Sequence, residues 1–402
     1  MQHIVVIGAG QAGSSCVVKL RNSGFDGKIT LIGAETQPPY QRPPLSKAYL
    51  MGEMDLERLY LRPQSFYGAQ GIDLRLGTQV DAIDIDNRQI AVEGGILGYD
   101  ELVLTTGSIP HRLPAAIGGV LEGVHVVRGL ADVDAMAPRF TAGARVLIVG
   151  GGYIGLEAAS VAAKLGLEVT LVEMAPRILQ RVAAPETSAF FRDLHQSHGV
   201  MLREGVGLER LTGDGAASGA VLTDGTELAV DFVIVGVGIA PATALAQAAG
   251  ITLDNGIAVD AFGRTDMPHV WAAGDCTSFP YKGRRIRLES VPNAIEQAEV
   301  VAQNLMGAQI EYVAKPWFWS DQYDVKLQIA GLNTGYTHVI TRGAAPGPVS
   351  FWYYKDATLL AVDAANDPRG YMVGKRLIES GKSPAPDVVA DATFDLKALL
   401  QA

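Results

Sequence analysis

Cysteine is almost missing from this chain. Its 402 residues include two, Cys16 and Cys276, too few for a disulfide framework and too far apart for a C-x-x-C metal or redox pair. Both are expected to be small buried hydrophobes. The seven histidines show no ligand spacing, so no metal site is expected. No run approaches the ~18 apolar residues of a membrane helix, and no basic segment precedes the first apolar run. Neither a membrane span nor a secretory leader is therefore expected, and a cytoplasmic location is. Basic charge is also short: 33 Lys and Arg stand against 43 Asp and Glu, for a net charge of −10. That balance disfavours wholesale binding of nucleic acid and obliges any acidic partner to find a local basic patch.

Glycine and apolar residues are plentiful, with 46 glycines and 48% apolar residues. The length calls for two or three domains, and glycine spread among recurring apolar runs suits an α/β nucleotide fold. The segment IVVIGAGQAG, Ile4 to Gly13, reads as a buried parallel strand running into a G-x-G-x-x-G turn and then a helix from about Ser14. In that pattern Gly8 makes the tight turn, Gly10 lets backbone approach a pyrophosphate, and Gly13 lets helix and strand pack closely. A second strand, Lys28 to Ile32, leads to Glu35, 22 residues past Gly13, about where an acid takes ribose hydroxyls. A Pro-rich turn through Arg42–Lys47, short strands over Ile72–Ile90, and a buried strand Tyr99–Thr106 closed by Gly107 follow.

The pattern then repeats. RVLIVGGGYIG, Arg145 to Gly155, sets Gly150, Gly152 and Gly155 in the same spacing. A helix to about Leu165 and a strand Glu168–Val172 follow, with Glu173 standing 18 residues past Gly155. Asp231–Ile239 echoes Tyr99–Gly107. Two copies in the same order imply two dinucleotide sites. Late in the chain come a strand ending in Gly274-Asp275 and a helix from Pro292 to about Met306. From Lys315 alternating strands and clustered aromatics suggest a separate domain.

The motifs GAGQAG (Gly8–Gly13), RPPLSK (Arg42–Lys47), TTGS (Thr105–Ser108), GGGYIGLE (Gly150–Glu157), GDC (Gly274–Cys276), ESVPNAIEQA (Glu289–Ala298) and WFWSDQY (Trp317–Tyr323) resemble one family. It is the flavin-dependent pyridine-nucleotide oxidoreductases with two Rossmann domains, in particular the ferredoxin and rubredoxin reductases of bacterial oxygenase systems. The resemblance implies an α/β fold with two glutathione-reductase-like nucleotide-binding domains and a C-terminal mixed α/β domain. On this division residues 1–108 and 240–314 bind FAD, 109–239 bind NADH, and 315–402 form the third domain.

Carried over residue by residue, the resemblance gives FAD contacts at Gly8, Gly10, Ala12, Gly13, Glu35, Arg42, Lys47, Val80, Thr106, Gly107, Arg128, Asp275, Val291 and Trp319. It gives NADH contacts at Gly150, Gly152, Ile154, Gly155, Glu173, Arg181 and Gly238. Lys47 and Glu157 form the expected catalytic pair, a lysine beside the reactive flavin nitrogen held by a glutamate. The partner implied is a small acidic [2Fe-2S] ferredoxin. Its docking is expected on the basic run Lys282–Arg287, with Arg62 a further candidate; oligomeric state stays open between monomer and weak dimer. The wider flavin disulfide reductases carry a C-x₄-C pair that this chain lacks. An NADH oxidase or peroxidase would want a cysteine sulfenate, and a redox-sensing flavoprotein resembling apoptosis-inducing factor is the alternative from another class.

Overall fold

A computed structural model describes residues 2–401. The chain divides into two compact units, one of residues 1–42, 55–109 and 239–316, the other of residues 43–54, 110–238 and 317–402.

The first unit is built on a five-stranded parallel sheet in the order Val270–Ala272, Glu101–Leu104, His3–Ile7, Lys28–Ile32, Ile72–Arg75. Side chains alternate across a strand, and the central strand uses both faces. Ile4 and Val6 pack with Ala12, Cys16, Val17 and Leu20 of the helix Gln11–Asn22 and with Ala298, Val301 and Ala302 of the helix Val291–Leu305. Val5 and Ile7 face the other way, onto Val80, Ile83, Ile90 and Val92 of a small antiparallel sheet. A strand buried on both faces must be apolar throughout, which is why IVVI carries no polar residue.

The second unit repeats the plan in Met201–Glu204, Glu168–Glu173, Arg145–Val149, Phe232–Val235 and Val124–Val126. The outer strand beside the closing strand comes late in the chain in the first unit and early in the second. This unit also holds a five-stranded antiparallel sheet, ordered Trp317–Gln322, Val325–Gly331, Thr358–Ala365, Val349–Lys355, His338–Gly343, with the helix Pro368–Glu379 packed through Tyr371, Val373 and Leu377 against Trp352 and Val362. Residues 43–54 group with this unit although their chain neighbours on both sides lie in the first. The Pro-rich turn is helical over Leu45–Tyr49.

Among the described residues no helix is long and apolar enough to cross a membrane.

One buried carboxylate in the second unit titrates out of place. Asp363 is 1% exposed; it accepts from Thr187 Oγ1 at 2.9 Å and from the Tyr353 hydroxyl. Burial nonetheless pushes its pKa up from 3.8 to about 6. The folded protein thus holds a proton that the unfolded chain releases between those values, so this group's contribution to stability falls as pH rises through the window. Asp363→Asn is expected to gain stability relative to the parent on going from pH 4.5 to pH 7, by on the order of 2 kcal/mol. Denaturant melts of both proteins across that range check it; a difference independent of pH would contradict it.

Candidate cofactor and active sites

The two glycine turns show in the same way which glycines serve the protein itself. Gly8 has φ +112°, and a Cβ there would lie 2.2 Å from the Thr105 carbonyl oxygen. A Cβ on Gly13 would lie 2.0 Å from the Gly8 carbonyl oxygen. Neither position has room for a side chain. Gly10 differs: nothing stands within 4 Å of a Cβ built on it. In the second unit Gly150 (φ +108°) and Gly155 are closed off by backbone oxygens at 2.4 and 2.1 Å, while Gly152 again meets nothing. Gly10 and Gly152 immediately precede the helices Gln11–Asn22 and Tyr153–Lys164, neither of which has an acidic residue in its first turn. An open middle glycine before an uncompensated helix N-terminus is the cradle a pyrophosphate requires. The residues therefore fit a dinucleotide at each turn.

The two acids are held by different partners. The Glu35 carboxylate accepts from Arg42 Nη2 at 2.5 Å and from the Tyr40 hydroxyl, with the Arg42 guanidinium 5.0 Å from the Tyr40 ring centre. Glu173 accepts from the Gly151 backbone N–H at 2.7 Å and from that of Ala175 at 2.8 Å, which ties it to its own glycine turn. Of the two nearby arginines, Arg177 is bound to Ser188 Oγ at 2.5 Å. Arg181 is exposed, and its guanidinium lies 3.3 Å from where a Cβ on Gly238 (φ +105°) would sit. Ile154 is 44% exposed at the helix start.

Elsewhere in the first unit, Asp275 accepts from Ser108 Oγ at 3.2 Å. Thr106 Oγ1 donates to the Ala242 carbonyl at 2.6 Å, and the Gly107 carbonyl accepts from Ala242 N–H. Ala12 lies in the first helical turn. Val291 opens a helix whose Ser290 cap accepts from Asn293 N–H at 3.3 Å. Val80 is 3% exposed and its side chain belongs to the core, so it has backbone alone to offer a ligand.

Lys47, Arg128 and Trp319 belong to the second unit. Arg128 donates its backbone N–H to Asp132 Oδ2 at 3.2 Å. Trp319 stands half-buried, 5.7 Å from Trp317 between ring centres. Lys47 meets Glu157: Nζ donates to Oε2 at 2.6 Å and to the Pro43 carbonyl at 3.1 Å. Glu157 is 4% exposed, and two hydroxyls complete its set, Ser46 Oγ on Oε2 at 2.8 Å and Ser320 Oγ on Oε1 at 2.7 Å. Lys47 departs from the helical turn around it (φ −135°, ψ −112°). Ser46 and Ser320 carry no local signal of their own, because their partner lies more than a hundred residues away.

Both cysteines are buried and unpaired. Burial pushes the Cys16 thiol up to about 12 and also raises that of Cys276. Neither supplies a thiolate near neutral pH.

The basic run needs a correction. Arg285 is turned back on its own unit, donating to Ser278 Oγ at 3.1 Å and the Val259 carbonyl at 2.9 Å, with Asp254 at 3.5 Å. Arg287 is 13% exposed and ion-paired with Glu289. Lys282 and Arg284 are the members left to face a partner, joined by exposed Arg62, which lies 5.8 Å from the Phe66 ring centre.

Comparison with known proteins matches residues 2–298 to the pyridine nucleotide-disulphide oxidoreductase family and residues 317–400 to the reductase C-terminal family. A ferredoxin–NAD(P)+ reductase of Sphingomonas sp is 43% identical over 98% of this chain and 96% of its own. Putidaredoxin reductase of Pseudomonas putida is 41% identical over 100% and 97%. The crystal structure of a covalent putidaredoxin reductase–putidaredoxin complex superposes with a TM-score of 0.96 at 40% identity, covering 100% of this chain and 98% of that one.

Valine at Gly10 fills open space, so the variant is expected to fold, with the melting temperature of the flavin-free parent, but to retain at least about tenfold less flavin. Gly152→Val is expected to keep its flavin and to raise the KM for the nicotinamide coenzyme by a similar factor. Visible absorbance and steady-state kinetics read the two; full flavin content in Gly10→Val would contradict the first.

Proposed function

Because the chain belongs to the pyridine nucleotide-disulphide oxidoreductase family, we propose that it is an NADH-dependent flavoprotein reductase that passes electrons to a small acidic [2Fe-2S] ferredoxin serving a bacterial oxygenase, working in the cytoplasm. The observation that carries this reading is the pair of glycine turns, each closed at its outer glycines and open at the middle one, in a chain whose two thiols are both buried. Two dinucleotides then have seats, and no dithiol takes part between them.

FAD, when bound, accepts two electrons as hydride and gives them up singly. The chain's own residues bind, orient and hold charge. In the first unit the turn at Gly10 cradles the FAD pyrophosphate, Glu35 with Arg42 takes the adenosine end, and Asp275 holds the ribityl chain. In the second, Gly152 and Glu173 hold NADH. Lys47 serves the reactive flavin nitrogen, and Glu157 keeps its ammonium in place. The positive end of the helix at Val291 favours the anionic reduced ring.

Coenzyme choice follows from Glu173. Its carboxylate is fixed by two backbone N–H groups and can accept ribose hydroxyls while repelling a 2′-phosphate. Of the two nearby arginines, Arg177 has its Nη1 on Ser188 Oγ. NADH is expected to exceed NADPH in kcat/KM by about a hundredfold, and Glu173→Ala to narrow the ratio to about tenfold or less. Equal efficiency in the parent protein would contradict the assignment.

Docking on an acidic ferredoxin is assigned to Lys282 and Arg284, with Arg62. Lys282→Glu with Arg284→Glu is expected to slow ferredoxin reduction about tenfold at low ionic strength, leave flavin reduction by NADH unchanged, and lose its effect in high salt. An unchanged ferredoxin rate at low salt would move the docking surface elsewhere.

A further inference from the structure

Behind Glu157 the second unit holds a line of buried polar groups that the assignment so far does not use. Ser320 Oγ, which donates to Glu157 Oε1 at 2.7 Å, accepts from Gln322 Nε2 at 3.2 Å. Gln322 Oε1 lies 2.8 Å from His195 Nε2, and His195 Nδ1 lies 3.1 Å from the Tyr323 hydroxyl. Ser320, Gln322 and His195 are at most 1% exposed.

The direction of the line is fixed by chemistry. Burial lowers the His195 pKa to about 4, so at neutral pH the ring has one donor and one acceptor. An amide oxygen can only accept, so Nε2 carries the hydrogen and the bare Nδ1 takes the Tyr323 O–H. From Tyr323 through His195, Gln322 and Ser320, every group donates toward Glu157, and the line ends on a carboxylate. Aligned donors in a buried setting polarise one another and strengthen the last bond. A second observation concerns Tyr323 itself. It stands at φ +56° in the two-residue turn between the strands Trp317–Gln322 and Val325–Gly331, where such a hairpin calls for positive φ. Its N–H donates to Ser160 Oγ at 2.7 Å and its carbonyl accepts from Lys164 Nζ at 3.2 Å. Glu157, Ser160 and Lys164 share one face of the helix Tyr153–Lys164, at i, i+3 and i+7. The same helical face that carries the carboxylate thus holds the far end of the line in place.

We propose that Tyr323, His195, Gln322 and Ser320 are positioning residues for hydride transfer. They pin Glu157 Oε1 so that Oε2 stays turned to Lys47 and Ser46, and the ammonium, with two of its three N–H groups engaged by Glu157 and Pro43, keeps the third for its ligand. The proposal rests on the reading that Lys47 serves the flavin.

The test is a double-mutant cycle on the rate of flavin reduction at saturating NADH, followed by stopped flow. Ser320→Ala is expected to slow it about tenfold and Tyr323→Phe about threefold, with the Kd for NADH unchanged and Ser320→Thr restoring the parent rate. In a Glu157→Gln background Tyr323→Phe should cause no further loss, because its only route to the reaction is then gone. Full additivity, or parent-like rates in both single variants, overturns the proposal. If Glu157→Gln leaves the rate unchanged, the Lys47–Glu157 reading falls. The line itself is read without activity by ¹⁵N spectra of His195. A single Nε2–H tautomer whose signal moves in Ser320→Ala supports it, and an Nδ1–H or averaged ring overturns it.

Discussion

A carboxylate taken out of water must be given donors in its place, and the second unit is arranged around that requirement at Glu157. Stripping an acid of its hydration costs several kcal/mol unless charge and hydrogen bonds replace it. Here Lys47, Ser46 and Ser320 do so together. They come from two parts of the chain, each more than a hundred residues from Glu157. Residues 43–54 accordingly group with the second unit even though residues 42 and 55 belong to the first. The strand Trp317–Gln322 is likewise drawn along the helix that carries Glu157. Removing a single donor would leave buried charge short of a partner, so the segments are fixed by one another rather than each by its own packing.

The glycine turns obey a different constraint, the approach of backbone to backbone. At Gly8, Gly13, Gly150 and Gly155 the chain passes so near its own carbonyls that a methyl group has no place. The two middle glycines meet nothing within 4 Å, which leaves room there for the pyrophosphates of the proposed dinucleotides. The units differ in how each acid is secured. Side chains hold Glu35, whereas backbone N–H groups of the glycine turn and the following loop hold Glu173.

Much of this was legible in the sequence because it is local. Runs of β-branched residues followed by spaced glycines specify strand, turn and helix within about thirty residues, and the parallel strands His3–Ile7, Lys28–Ile32 and Arg145–Val149 lie where the pattern puts them. The helices begin earlier than their apolar periodicity suggests, at Gln11 and Tyr153, since the glycine turn itself supplies the cap. The helical turn Leu45–Tyr49 was hidden by the prolines around it. Partners of Glu157 other than Lys47 were not legible: Ser46 and Ser320 have no spacing relation to it, and Gln322, His195 and Tyr323 meet through tertiary packing. The charge run Lys282–Arg287 looked uniform as letters, yet Arg285 bonds to Ser278 and Val259 and Arg287 pairs with Glu289. Side-chain direction in a short hairpin cannot be read from composition.

The proposed reductase takes electrons in pairs from a nicotinamide and hands them out singly to an iron–sulfur protein. Its most direct test is an anaerobic titration of the purified yellow protein with NADH, followed by addition of a [2Fe-2S] ferredoxin. The account expects about one equivalent of NADH to bleach the flavin, and the ferredoxin then to restore the yellow colour while about two clusters are reduced for each NADH consumed. A flavin that NADH bleaches but that only dioxygen, and no ferredoxin, can reoxidise would contradict it.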